Sequence, residues 1–180
     1  MSIKQLASQY GFSVVARSDA ETGTKKYKLT EKTRNISGKT LYRIVALDDI
    51  KVNAFLTVHE GELGGFIEGE HNLSQTGNAW VDGSACVFDK AVVSGKAWVH
   101  GEAQISENAH VEGTSQVRGK AIVKGKSVVK GDSQIYGKAV IEGASTLVDV
   151  VAGGSVNIDG LKLKDATIKT DTDLKKYAKA

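Results

Sequence analysis

From Gly77 to Val148 the chain divides into twelve consecutive six-residue units without a slip of phase: GNAWVD, GSACVF, DKAVVS, GKAWVH, GEAQIS, ENAHVE, GTSQVR, GKAIVK, GKSVVK, GDSQIY, GKAVIE and GASTLV. The fifth position is always Val, Ile or Leu, and the third is always Ala or Ser. The first is Gly except at Asp89 and Glu107. Self-similarity at a fixed period marks an architecture of stacked units. Six is a multiple of the strand period of two, so positions one, three and five point one way and the others outward. A helix cannot keep that phase. Gly at a corner permits the positive φ of a sharp bend, and Ala or Ser leaves room inside a narrow prism. Three units therefore predict one triangular coil. Twelve predict four coils, a rod about 20 Å long at about 4.8 Å per coil. The expected fold class is all-β, a single-chain β-helix with capping N-terminal strands and short terminal helices.

Composition agrees with a thin core. The 180 residues include 20 glycines, no proline and only 6% aromatics. Cys86 is the single cysteine. This excludes an internal disulfide framework and a multi-cysteine zinc site, and it points to a reducing cytoplasm. Met1 to Tyr10 has no signal-peptide core, and no long apolar run suggests a membrane span. A net charge of +3 is too small to indicate a nucleic-acid partner. Neither a cofactor nor a metal is expected.

The open ends of a solenoid are unpaired edges that need caps. The chain divides accordingly into an N-terminal cap over 1–76, the hexapeptide β-helix over 77–148, and a distorted last coil with a capping helix over 149–180. In the first segment Met1 to Tyr10 reads as a short helix, and Lys26 to Leu29 and Thr40 to Leu47 as strands. In the last, Val156/Ile158, Leu161/Leu163 and Ala166/Ile168 recur at five-residue spacing. Asp171 or Asp173 would N-cap a helix running to Ala180.

Residues eighteen apart stack on successive coils, so outward columns can be written from the sequence. One holds Trp80, Trp98, Gln116 and Gln134, and its neighbour Asp82, His100, Arg118 and Tyr136. Two exposed tryptophans in register beside Arg and His would form a contact surface; alternatively they pack beneath the N-terminal cap. Two further columns, Cys86/Gln104/Ile122/Val140 and Val92/His110/Val128/Thr146, offer apolar strips for self-association through Ile122 and Val140 or Val92 and Val128. The competing explanation is strand propensity alone. Lys120, Lys124, Lys126, Lys130 and Lys138 form a basic cluster, read either as an anion site or as a solvated surface.

The stretch from Tyr27 to Ala79, with GELGGFIE and NLSQ followed by GNAWV, resembles the YdcK-like hexapeptide-repeat proteins of enterobacteria, phages and prophages. The likeness continues through the repeats to about Leu147. That family is commonly labelled acetyltransferase and grouped with trimeric left-handed β-helix acyltransferases. The resemblance therefore implies a left-handed coil; the acetyltransferase label is inherited from the fold, and acyl transfer would require a histidine base at a subunit boundary. In the acyltransferase pattern the glycine directly follows the Ile or Val, whereas here it comes one position later.

Of the four histidines, His71 is the one nearest a catalytic position, yet no nucleophile, base and orienting group assemble around it from the sequence. GELGG lacks the lysine and following helix of a phosphate loop. Met1 to Arg17 stops short of a helix-turn-helix. The sequence thus favours a non-enzymatic cytoplasmic binding protein of phage type. Its faces would engage a protein partner, or a small anionic ligand such as a nucleotide. The alternatives are a trimeric acyltransferase and a filament-forming solenoid.

Overall fold

The computed structural model describes residues 25–177. Each hexad forms a two- or three-residue strand at its fourth and fifth positions and then turns a corner at the following first position. The strands stack in three parallel ladders. The first face carries β5 (Leu63–Ile67), β7 (Cys86–Val87), β10 (Gln104–Ile105), β13 (Ile122–Val123), β16 (Val140–Glu142) and β19 (Asn157–Asp159). The second carries β8 (Val92–Val93), β11 (His110–Val111), β14 (Val128–Lys130), β17 (Thr146–Val148) and β20 (Lys162–Lys164). The third carries β6 (Trp80–Val81), β9 (Trp98–Val99), β12 (Gln116–Val117), β15 (Gln134–Ile135), β18 (Val151–Ala152) and β21 (Thr167–Ile168). The six strands of the third face mark six turns.

Every third- and fifth-position side chain from Ala79 to Leu147 is fully buried, in one continuous core. Small third positions explain how three walls can meet so closely. Where Ser replaces Ala, most hydroxyls return to the backbone: Ser133 donates to the Lys130 carbonyl at 2.7 Å and Ser145 to that of Glu142 at 2.8 Å. The corners adopt positive φ, at Gly113 for instance (73°). Asp89 and Glu107 take the same conformation at 59°.

The coils extend beyond the hexads at both ends. Phe66 and Ile67 pair with Cys86 and Val87, and Leu73 bridges to Val93, so a coil forms before Gly77 from sequence without the repeat. After Val148 the ladders persist while the coil shortens. Gln134 pairs with Val151, seventeen residues on, and Thr146 with Lys162, sixteen on. Asp149 and Asp165 turn these tighter corners with φ of 55° and 50°. The five-residue spacing read in the sequence is thus the signature of shortened but paired coils. The last of them is followed by α1 (Asp171–Lys175), whose N-cap is Thr170 rather than an aspartate. Asp173 instead reaches back to the N–H of Thr170 at 3.1 Å. The expected helix at Met1 to Tyr10 lies outside the described residues, as do the last residues before Ala180.

The first N-terminal strand runs longer than expected, and the second has the expected length one residue earlier. They are β1 (Tyr27–Ile36) and β2 (Lys39–Ala46), an antiparallel hairpin with β2 paired to β5. The hairpin prolongs the first ladder and covers part of the outside of the prism. Leu41, Phe66, Cys86 and Phe88 form a second small core there, with the Arg34 guanidinium 4.2 Å from the Phe66 ring centre. Cys86, expected on an outward column, is therefore buried, and burial pushes its thiol pKa up. A second hairpin, β3 (Ile50–Lys51) and β4 (Thr57–Val58), is rooted in the main core by Ile50, Val52 and Val58. Among the described residues no helix is long and apolar enough to cross a membrane.

Candidate binding groove on the third face

The column arithmetic holds on the third face: Trp80 pairs with Trp98, Trp98 with Gln116, and Gln116 with Gln134. Burial then separates the two tryptophans. Trp80 is fully buried, contrary to the expectation of an exposed pair. Tyr27 meets its ring edge-on at 6.4 Å, and a Cβ on Gly64 would lie 2.7 Å from it. The GELGG segment thus needs glycine so that β5 can pass over an indole. Trp98, one coil beyond the cap, is only half-buried, and its ring stacks on His100 at 3.8 Å and 19° rather than continuing a tryptophan stack.

The neighbouring column runs Asp82, His100, Arg118 and Tyr136, and the Arg118 guanidinium lies 4.9 Å from the Tyr136 ring centre. Burial, and then the positive charge of Arg118, hold the His100 imidazole below its ordinary pKa, against an opposing pull from Asp82. His100 is therefore neutral near pH 7. Neither its Nε2 nor the Trp98 Nε1 has a hydrogen-bond partner among the described residues, although both atoms are buried.

The loop between β3 and β4 overhangs this face. Asn53 shapes it, its side-chain oxygen accepting the N–H groups of Phe55 at 2.9 Å and Leu56 at 3.0 Å. Asn78 ties the hairpin down by donating to the Lys51 carbonyl at 2.8 Å. Between loop and solenoid lies a groove of about 440 Å³, lined by Val52, Asn53 and Ala54 on one side. Trp98, Gln116 and Gln134 line it from the face, and Lys96, Thr114 and Asp132 from the corner column. At the loop tip Phe55 is fully exposed (101%).

Column arithmetic reached Trp98, Gln116 and Gln134 but missed the others. Lys96, Thr114 and Asp132 are also eighteen apart and could have been found in the same way. The loop could not, because only its tertiary placement brings it to this face.

The remaining candidates are dispersed. Lys120 and Lys138 share one corner column, Lys124 follows β13, Lys126 lies at the next corner, and Lys130 ends β14 on the second face. One turn of chain thus distributes the basic cluster around the prism rather than gathering it. Lys120 faces Glu102 at 3.5 Å, and Lys124 faces Glu142 at 2.9 Å. Ile122 and Val140 are adjacent and half-buried on the first face. Exposed His110 separates Val92 from Val128 on the second.

His71 donates from Nε2 to the Asp89 carbonyl at 2.7 Å, beside Asn72, which donates to the same carbonyl at 3.0 Å and to that of Ala91 at 2.8 Å. In NLSQ, Asn72 and Leu73 are buried and Gln75 bonds the backbone of Lys26 and Tyr27. These motif residues fasten the cap to the solenoid. No group of His, Cys, Asp and Glu suited to a metal occurs among the described residues.

No family model matches the chain, and no curated protein matches it.

Proposed function

We propose that this chain is a non-enzymatic binding protein that holds its ligand in the groove between the β3–β4 loop and the Trp98 face. The observation carrying this reading is the pairing of a regular wall with an irregular roof. A solenoid face presents an aromatic ring and two amides at fixed spacing, and a loop anchored in the core overhangs them. Concave sites with a few convergent polar groups are the usual form of ligand pockets, and about 440 Å³ falls within their ~300–1,000 Å³ range. The resemblance of Tyr27 to Ala79 to YdcK-like proteins supports a phage-type chain acting in the host cytoplasm. It supports acyl transfer less, since the Nε2 of His71 is engaged by backbone.

A second reading is favoured by Phe55. A fully exposed aromatic on a loop closed by the Asn53 side chain is the type of anchor that dominates protein interfaces. In that version a protein partner grips the loop tip, and the groove is only a neighbouring surface.

The test compares the immobilised protein with Gln116→Trp, which fills the groove, and with Phe55→Ala. All three are exposed to bacterial lysate, and retained macromolecules and small molecules are identified by mass spectrometry. A molecule retained by the native protein and lost with Gln116→Trp is the expected result. Loss with Phe55→Ala alone would support the protein-partner version. Identical retention by all three would overturn both. Steady acetyl-CoA turnover abolished by His71→Ala would establish the acyltransferase instead.

A further inference from the structure

The lining of this groove restricts the chemical class of its occupant, given the reading that the groove is the binding site. Its formal charges cancel, with Lys96 against Asp132, and the Thr114 hydroxyl donates to the Asp132 carboxylate. The other groups that could have favoured a phosphate stand one column away. Arg118 lies over Tyr136, and His100, held neutral, lies against Trp98. A nucleotide or another anion would therefore find no excess of positive charge.

The amides point in a different direction. Among the described residues the side chains of Gln116 and Gln134 make no hydrogen bond, and the Asn53 NH2 makes none once its oxygen has closed the loop. Each Gln amide offers two donors and an acceptor, and the Asn53 NH2 offers two donors. Hydroxyl groups, which both donate and accept, complement that set. Beside the amides lies the half-buried ring of Trp98, an apolar surface suited to C–H groups. A ligand with an apolar C–H face and a rim of hydroxyls matches both features.

Spacing adds a third constraint. Trp98, Gln116 and Gln134 stand on successive coils, about 4.8 Å apart. One pyranose ring in a glycan chain is about as long as one such step. A peptide strand laid along the axis repeats its side-chain direction about every 6.6 Å and would fall out of step. We propose that the groove is a saccharide site. It takes a short run of neutral glycan along the solenoid axis, with one sugar against Trp98 and the next under Gln116 and Gln134.

The full chain, displayed multivalently, is applied to an array of neutral oligosaccharides, with sulfated and sialylated glycans as comparators. Neutral glycans should bind. The signal should fall at least ten-fold in Trp98→Ala and in the Gln116→Ala/Gln134→Ala double variant, and persist in Phe55→Ala. The double variant changes only surface amides, so it decides the matter should Trp98→Ala fold poorly. Absence of glycan binding, binding of acidic glycans only, or binding insensitive to the Gln pair would overturn the proposal. If no glycan binds while Gln116→Trp still excludes a molecule in the lysate comparison, the saccharide assignment falls and the groove stands. If that comparison fails as well, both fall.

Discussion

Asp89 accepts the backbone N–H of Glu107 at 3.1 Å, one coil further along the same corner, and Glu107 in turn accepts that of Gly125 at 3.1 Å. Both acids sit where the repeat otherwise has glycine, at φ 59°. A side chain in that conformation costs about 1–2 kcal/mol. The carboxylate offsets this through a charge-assisted bond to the next corner.

Glu107→Gly should consequently be nearly neutral, since it loses the bond and relieves the strain together. Glu107→Ala keeps the strain without the bond and should cost about 1 kcal/mol. Asp89→Ala should cost more, because it also breaks the ion pair with Lys39. Urea midpoints measure all three. Equal losses for Glu107→Gly and Glu107→Ala would refute the compensation.

Corner glycines should differ in their tolerance of alanine according to what lies above them. A Cβ at Gly113 would meet the Gly131 carbonyl oxygen at 2.8 Å, whereas one at Gly160 meets nothing within 4 Å, and both have positive φ. Gly160→Ala should cost only the conformational strain of about 1–2 kcal/mol. Gly113→Ala must also spread two coils and should cost roughly 3 kcal/mol or more. Thermal melts of the two variants give the comparison, and a Gly160→Ala loss equal to that of Gly113→Ala would count against coil contact as the cause.

The two tryptophans should separate stability from binding. Trp80→Ala empties a site enclosed by Tyr27, Ile44 and Gly64 and should cost about 3–5 kcal/mol. Trp98→Ala removes a half-buried ring and should cost about 1–2 kcal/mol. Chemical denaturation of both variants is the check. A larger loss at Trp98 would mean that its ring belongs to the cap.

Stability should pass through a maximum near pH 10. Lys26 donates to the carbonyls of Gly77 at 3.1 Å and Ala79 at 2.8 Å, and burial lowers its pKa to about 8. The unfolded chain, with an ordinary lysine, binds more protons above pH 8, so stability rises from there toward the unfolded value of about 10.4. The buried Tyr27 hydroxyl acts oppositely. Burial, and then the charge of Glu70, raise its pKa, so stability is lost above the ordinary tyrosine value of about 10. The rise between pH 8 and 10 should be on the order of 1–3 kcal/mol and absent in Lys26→Met. Urea midpoints across that range measure it, and a flat native profile would contradict the lysine's burial.

Sequence periodicity alone determined the prism from Gly77 to Val148: which side chains are buried, where the corners fall, and which residues stack. A strict six-residue repeat allows only one phase of inward and outward positions, so Val99 and Ala97 had to face the core and Gln116 had to lie beside Trp98. Tertiary structure decided what covers those columns. Nothing in the hexad GNAWVD distinguishes Trp80 from Trp98 in GKAWVH. The difference arises because Tyr27 and Gly64 close directly over Trp80, whereas Trp98 meets only the overhanging β3–β4 loop across a groove. The groove depends on the same kind of long-range placement, since Asn53 and Phe55 reach the third face through a hairpin rooted by Ile50, Val52 and Val58. Repeats encode contacts at a constant sequence separation and are legible as a period. Cap and loop contacts span separations that no period records, and only the packing of non-repeating apolar residues selects them.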